Sequence, residues 1–178
     1  MNRMSGFTMI ELMTVVVIVA ILTVVGVPTF QYVTSSNRIS TEINSLLGDL
    51  QYARTEAVKE GSTVTVCMRN TAGTGCNTSG TAWNNGWIVF SDTNGDGAVN
   101  AGEIILRAAP AFTSSDTFTA DNSFTTLTFN REGFALTGLT GNVTITLTEP
   151  TNNPQWKRCL AITPIGALST QKHGTGNC

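Results

Sequence analysis

The chain has 178 residues, only 12% of them charged, which is about half the share found in an ordinary soluble domain. Its length allows one globular domain with an appendage. The formal net charge is −2, which excludes a protein that attracts nucleic acid through a bulk positive field.

The first predicted element is an apolar helix close to the N-terminus. No charged residue occurs from Leu12 to Val27. With residues 7–10 added, an α-helix of this length would span about 30 Å, which is the thickness of a bilayer core. Arg3 precedes the segment and no basic residue follows before Arg38. The positive-inside rule therefore predicts a cytoplasmic N-terminus with the rest of the chain outside.

One carboxylate, Glu11, lies near the front edge of this segment. An ordinary secretory signal would need small residues at a cleavage site after the apolar core, and VVGVPTF is a poor site. A plain single-pass anchor would gain nothing from Glu11. A carboxylate in a membrane costs roughly 2.5–3.5 kcal/mol at a helix centre, less near an edge, and usually marks a function. The sequence therefore predicts a functional role for Glu11.

The stretch GFTMIEL, which begins at Gly6, resembles the processing motif of type IV pilins and type II secretion pseudopilins. The resemblance implies that a prepilin peptidase cuts after Gly6 and that the new N-terminus, Phe7, is N-methylated. Glu11 then stands at the fifth mature position and Pro28 at the twenty-second, where the family has its Glu and Pro. Both residues are thereby implicated in filament assembly.

This resemblance gives the carboxylate of Glu11 a physical role. After cleavage Phe7 carries a cationic amine at the membrane face. A carboxylate one helical turn along can neutralise the amine of a neighbouring subunit, or its own, as helices pack side by side. Two unpaired buried charges would each be costly, whereas a paired set is tolerable. The alternative is a solvated glutamate at the membrane interface.

The helix is predicted to continue beyond Pro28, which lacks an amide hydrogen and should kink or loosen it. Apolar residues recur there at a spacing close to 3.6, which indicates an amphipathic helix with one face to bury. They are Ile39, Ile43, Leu46, Leu47, Leu50, Ala53, Ala57 and Val58. Gly61 follows as a C-terminal stop.

From residue 62 onward the pattern has a period of two, which predicts strands separated by Gly, Asn, Pro and Ser turns. The strand-like runs are STVTVCMR, GWIVFSD, EIILRAA, FTTLTFN, NVTITLTE and KRCLAITP. No second helix of any length is predicted. Trp83, Trp87 and Phe90 are expected in the core or at a loop base rather than as ligand-stacking residues. An antiparallel sheet packed on the amphipathic helix accounts for this half.

The order of these elements narrows the resemblance. GWIVFSDTNGDGAVNAGEIILR, LTFNREGFAL and RCLAITPIGAL look like the GspH/FimT family of minor pilins and pseudopilins. The resemblance implies an α+β, pilin-like fold, with a long N-terminal α-helix packed on an antiparallel β-rich head. The expected parts are a leader over 1–6, a transmembrane or filament-core helix over 7–29, an amphipathic helix over 30–61 and a periplasmic head over 62–178.

The four cysteines include no CxxC pair. An even count after a membrane segment indicates disulfides formed in an oxidising compartment. Three pairings exist, and the sequence alone does not choose among them. We favour the local pairs Cys67–Cys76 and Cys159–Cys178.

The run DTNGDGAVNAGE fits the twelve-residue calcium-loop pattern D-x-[DN]-x-[DN]-G-x5-E. The ligands in that pattern would be Asp92, Asn94, Asp96, the Ala98 carbonyl, Asn100 through water and Glu103. An EF-hand has a helix on each side, whereas strands are predicted here. The favoured alternative is a solvated hairpin turn, so no cofactor is expected unless this loop binds Ca²⁺.

A small basic cluster, formed by Lys157, Arg158 and Lys172, is the candidate for DNA contact. DNA-binding members of the family carry Gly-Arg-x-Arg near the C-terminus, and the matching place here, residues 166–169, has neither arginine. Two or three exposed cations are more often ordinary surface, so DNA is not an expected partner. The single histidine, His173, has no catalytic partner motif, and no enzyme is predicted.

The sequence thus predicts a minor type IV pilin that joins, primes or caps a pilus, with effects on motility, adhesion or DNA uptake. Its expected partners are prepilin peptidase, inner-membrane lipid and other pilins. It would be a single-pass protein of the inner membrane before assembly. A tip subunit of the type II secretion pseudopilus is the main alternative, and a DNA-binding minor pilin for natural transformation is the second.

Overall fold

The computed structural model describes residues 6–136, 139 and 141–178. Of the predicted leader only Gly6 falls in this range, and Arg3 lies outside the described residues. The chain divides into two compact units, Met1–Asn37 and Arg38–Cys178. A single helix, α1, runs from Met9 to Glu60 and contributes to both units.

In the first unit α1 starts two residues later than predicted because Thr8 acts as its N-cap. The Thr8 hydroxyl accepts a hydrogen bond from the Glu11 amide at 3.3 Å, and the Thr8 carbonyl accepts one from the Leu12 amide at 3.1 Å. Such a cap satisfies amide groups that have no partner within the helix. The helix continues through Pro28 without interruption.

The side chains of residues 6–34 are all exposed, although most of them are apolar. By length and composition α1 is long and apolar enough to cross a membrane. An apolar helix surface without a partner is unfavourable in water. This part of the chain therefore requires lipid or other helices around it.

The second unit contains the remainder of α1, one face of which is buried as its periodicity predicts. The buried apolar residues of this face are Ile39, Ile43, Leu46, Leu50, Ala53 and Ala57. Val58 departs from the prediction, since 53% of it is exposed. It comes one residue after Ala57, so the turn of 100° per residue takes it off the buried face. Gly61, at a φ of 66°, ends the helix, and its amide donates to the Ala57 carbonyl at 3.0 Å.

The β-strands of the second unit form two antiparallel, four-stranded sheets. The first has the order β3-β2-β1-β5, and the second has the order β4-β6-β7-β8. In the first sheet the strands are β1 Val64–Met68, β2 Trp87–Ser91, β3 Ile105–Ala109 and β5 Thr126–Phe129. In the second they are β4 Thr117–Ala120, β6 Val143–Thr148, β7 Arg158–Ile162 and β8 Leu168–Lys172.

One hydrophobic core joins the buried face of α1 to both sheets. Its members from the sheets include Val66, Val89, Leu127, Phe118, Ile145, Leu147, Leu160 and Ile162. A smaller cluster of Cys67, Ile88 and Phe90 packs on the other side of the first sheet. A long helix packed on antiparallel sheets confirms the α+β class expected from the sequence.

Trp83, Trp87 and Phe90 are confirmed as core residues. Trp83, in a short 3-10 helix over Trp83–Asn85, and Trp87, in β2, are both buried. The Trp83 indole donates to the Phe124 carbonyl at 3.0 Å, which satisfies its buried polar group. All six predicted strands are present, but β4 and β8 were not predicted.

Candidate functional site

The N-terminal turn of α1 carries the candidate assembly residue. Glu11 is the only charged residue between Phe7 and Arg38, and it lies in the first turn of the helix. The free amides of a helix N-terminus carry a partial positive charge, which favours a carboxylate there. Thr8 and Glu11 also have the Thr-x-x-Glu spacing of a capping box. Sequence reasoning missed this cap, although the spacing was visible.

Both disulfides join cysteines that are close in sequence. Cys67 in β1 bonds to Cys76 with an S–S distance of 2.05 Å, and Cys159 in β7 bonds to Cys178 with an S–S distance of 2.08 Å. Cys67 and Cys159 are buried, so each bridge anchors a loop to a core strand. The second bridge fastens the last residue of the chain, which follows the edge strand β8.

Removing the Cys159–Cys178 bridge by a double alanine substitution is expected to lower the free energy of unfolding by roughly 3 kcal/mol, because an open 19-residue loop gains entropy in the unfolded chain. The Cys67–Cys76 bridge closes only 9 residues, so its loop-closure contribution should be somewhat smaller. Denaturant unfolding of the full chain in detergent micelles measures both. A Cys159/Cys178 variant as stable as the unmodified chain would contradict the expectation.

The loop over residues 92–103 is held to the first sheet by a buried carboxylate. Asp92 is fully buried. Its oxygens accept hydrogen bonds from the amides of Gly95 at 2.8 Å and Gly97 at 3.0 Å, and from the Thr65 hydroxyl of β1 at 2.7 Å. These three donors satisfy the carboxylate, as a buried acid requires. The hydrogen bonds of Asp92 thus have a structural role.

The other acidic groups of this loop also bond within it. Asp96 accepts hydrogen bonds from the amide of Ala98 at 2.9 Å and from the side-chain amides of Asn100 at 2.7 Å and Asn94 at 3.0 Å. These bonds, that from the Ala98 amide foremost, lower the pKa of Asp96. Glu103 accepts from the Asn100 amide at 2.8 Å.

Apart from the bond of the Thr65 hydroxyl to Asp92, these hydrogen bonds to the acidic residues of the loop come from amide groups of the loop itself. Within the described ranges no group of three or more His, Cys, Asp or Glu residues has the arrangement of a metal site.

Two of the predicted basic residues are brought side by side. Arg158 and Lys172 are direct partners in the β7–β8 pairing, and Lys157 immediately precedes β7. Arg158 and Lys172 line a groove of about 190 Å³ whose other lining residues are Ser40, Ile43, Asn44, Thr170 and Gln171. No carboxylate is among these lining residues. His173 is exposed just beyond β8.

A polar cluster attaches α1 to the first sheet, and sequence reasoning missed it. Asp49 accepts from the Trp87 indole at 2.8 Å and from Arg107 at 2.8 Å. The Arg107 guanidinium lies 3.7 Å from the centre of the Tyr52 ring, which is cation–π geometry. The hydrogen bond to Asp49 is the main cause that raises the pKa of Arg107. The partners are 38 and 58 residues apart, so no local pattern reveals them.

Comparison with known proteins agrees with this architecture. A prokaryotic N-terminal methylation motif matches residues 1–27, and the family described as type II transport protein GspH matches residues 42–166. The motif, the exposed apolar helix and the β-rich head define the pilin class, whose members assemble into a pilus or pseudopilus. The family match covers more than half of the chain, and the chain belongs to the GspH family.

Two solved structures share the fold. Both are crystal forms of the type IV minor pilin FimU of Pseudomonas aeruginosa. One aligns with a TM-score of 0.60 and 19% identity over 78% of this chain and 92% of that chain. The other aligns with a TM-score of 0.51 and 19% identity over 80% and 94%. No curated protein matches the chain.

Membership of this class bears on the partners and the location of the chain. Members of the pilin class assemble with other pilins and are processed by a prepilin peptidase. The methylation motif and the apolar helix fit an anchor in the inner membrane. The family consists of structural subunits.

Proposed function

We propose that the chain is a minor type IV pilin that is cut after Gly6, methylated on Phe7 and inserted into a pilus through the first part of α1. The observation that carries the proposal is an exposed apolar helix with one charge, Glu11, in its first turn. Lateral packing of residues 7–33 would supply the apolar binding energy. The pairing of Glu11 with the amine of Phe7 would set the register of neighbouring subunits.

The proposed organisation follows from the same features. Residues 1–6 would be the leader, 7–29 the membrane and filament-core helix, 30–61 the amphipathic helix and 62–178 the head. Before assembly the N-terminus would be cytoplasmic and the head periplasmic. The proposed role needs neither catalysis nor a cofactor, and it is mechanical: the subunit would prime or cap a pilus.

Co-expression of the full chain with a prepilin peptidase tests the processing step. The intact mass should equal that of residues 7–178 plus one CH2, because the methyl group replaces an amine hydrogen, less the hydrogens lost in the disulfides. Without the peptidase the mass should be that of the complete chain. A mature product that still contains residues 1–6 in the presence of active peptidase would overturn the proposal.

The main alternative is a tip subunit of the type II secretion pseudopilus, and the family description of GspH favours it. The shared fold with a type IV minor pilin favours the pilus. Isolation of the native complex distinguishes them. Recovery of other minor pilins supports the pilus, whereas recovery of secretion pseudopilins supports the alternative.

A DNA-binding minor pilin is the second alternative, favoured by the cross-strand placement of Arg158 and Lys172. Phosphate contacts are weakened steeply by salt, and three cations provide few of them. We therefore expect no retention of DNA in a gel shift at physiological salt. Binding that persists there would favour the DNA-binding alternative.

A further inference from the structure

Three carboxyl groups and one guanidinium meet where α1 enters the second unit. Arg38 and Glu42 lie one turn apart on α1. Asp116 immediately precedes β4, and Glu149 immediately follows β6. These charged groups belong to the elements that pack together here, and they influence one another's ionisation. With three acids and one base, two of the acids lack a compensating cation within this group.

Asp116 takes the available cation. Arg38 binds it with two parallel hydrogen bonds, from Nε at 2.6 Å and from Nη2 at 2.9 Å. The Asp116 side chain is fully buried, whereas 37% of the Arg38 side chain is exposed. The hydrogen bond to Asp116 is the main cause that raises the pKa of Arg38. Such bidentate pairs are strong because both bonds are charge-assisted, so Arg38 is committed to Asp116.

Glu149 is stabilised as a carboxylate in a different way. Burial opposes its ionisation, but hydrogen bonds from Thr151 and Asn153 offset burial and lower the pKa of Glu149. The Thr151 amide donates at 2.9 Å and the Asn153 amide at 2.8 Å. The Thr151 hydroxyl donates as well. These hydrogen bonds therefore stabilise the ionised form of Glu149 without a neighbouring cation.

Glu42 has no comparable stabilisation. Its Oε1 accepts one hydrogen bond, from the Ser114 hydroxyl at 2.9 Å. Its Oε2 is buried and has no hydrogen-bond partner among the residues that the structure describes. Burial is the main cause that raises the pKa of Glu42 to about 7, and the neighbouring Asp116 adds to it. A buried carboxyl oxygen that has no donor and lies near a second acid disfavours the charged form of Glu42.

We propose that Glu42 carries a proton in the folded chain and donates it in a hydrogen bond to Asp116, so that the contact between α1 and the Ser114–Asp116 segment is sensitive to pH. We call this the Glu42–Asp116 contact. When Glu42 ionises, its proton leaves to solvent and the hydrogen bond to Asp116 is lost, while Arg38 stays engaged with Asp116. The segment that loses this bond to α1 leads directly into the edge strand β4.

The direction of the pH dependence follows from the raised pKa of Glu42. A carboxyl group that titrates higher in the folded than in the unfolded chain stabilises the fold in its protonated form. This contribution is complete below about pH 4.5, the ordinary value for glutamate. It declines as the pH rises through about 7. Glu149, with its lowered pKa, changes charge only at more acidic pH.

A carbon-13 titration of the glutamate carboxyl groups tests the proton directly, with the full chain in detergent micelles. The Glu42 signal, assigned by its absence in Glu42→Gln, should have a midpoint near 7. Ser114→Ala should move the midpoint higher, because the Ser114 hydroxyl stabilises the ionised form. A Glu42 midpoint near 4.5 would overturn the proposal, whatever filament the chain joins.

Thermal unfolding provides a second readout. Raising the pH from 5.5 to 8.5 should lower the melting temperature of the unmodified chain by roughly 5 °C more than that of Glu42→Gln. The reason is that glutamine resembles the neutral form of glutamate and cannot ionise. Glu132→Gln is the matched control, since Glu132 is exposed and its pKa is lowered by Arg131. It should follow the unmodified chain. Equal losses in Glu42→Gln and in the unmodified chain would contradict a pH-sensitive contact.

Discussion

Replacing Glu11 by alanine is expected to reduce incorporation of the mature chain into filaments by at least about tenfold. Cleavage after Gly6 should continue, because it occurs before the helices pack. The loss arises because the Phe7 amine would then enter an apolar helix bundle without a counter-charge. Leaving one charge of a buried pair unpaired costs about 3–5 kcal/mol, of which a tenfold effect requires only about 1.4. Quantification of the chain in sheared filaments against total membrane protein measures the effect.

Two further variants separate charge from shape. Glu11→Gln keeps the shape of the side chain but removes the charge, so it should fail as Glu11→Ala does. Thr14→Val removes a polar group from the next turn, where the Thr14 hydroxyl bonds to the Glu11 carbonyl at 2.9 Å. This variant should assemble normally. Normal incorporation of Glu11→Gln would show that a negative charge at this position is not required.

The sequence predicted elements whose side chains carry a strong pattern. The apolar run and the 3.6-residue spacing predicted α1, and alternation predicted six strands. The strands that were missed have weak patterns. In β8 most side chains are exposed, and its position is determined by five backbone partners in β7. β4 has only four residues, although Phe118 within it is fully buried.

The candidate sites likewise differ in how far the sequence alone reveals them. The proposed processing residues Gly6 and Phe7 and the proposed assembly residue Glu11 belong to one continuous motif, so they could be predicted without a structure. The contact of Arg38 with Asp116 joins residues 78 apart, and the bond of Ser114 to Glu42 joins residues 72 apart. Such pairs depend on how the sheets pack on α1. Tertiary packing, rather than any local propensity, determines which charges become partners.

The buried face of α1 provides the second large expected effect. Leu50→Ala should destabilise the folded chain by about 2–5 kcal/mol, because it removes a fully buried side chain and leaves a cavity between α1 and the sheets. Denaturant unfolding of the full chain in detergent micelles, followed by tryptophan fluorescence, measures it. Trp83 and Trp87 lie in the same core and report its loss.

Val58→Ala is the matched control for this substitution, because Val58 belongs to the same apolar pattern but is 53% exposed. Its replacement should change the free energy of unfolding by less than about 0.5 kcal/mol, as at an ordinary surface position. Equal losses for Leu50→Ala and Val58→Ala would mean that the pattern alone, rather than packing against the sheets, sets the stability of this helix.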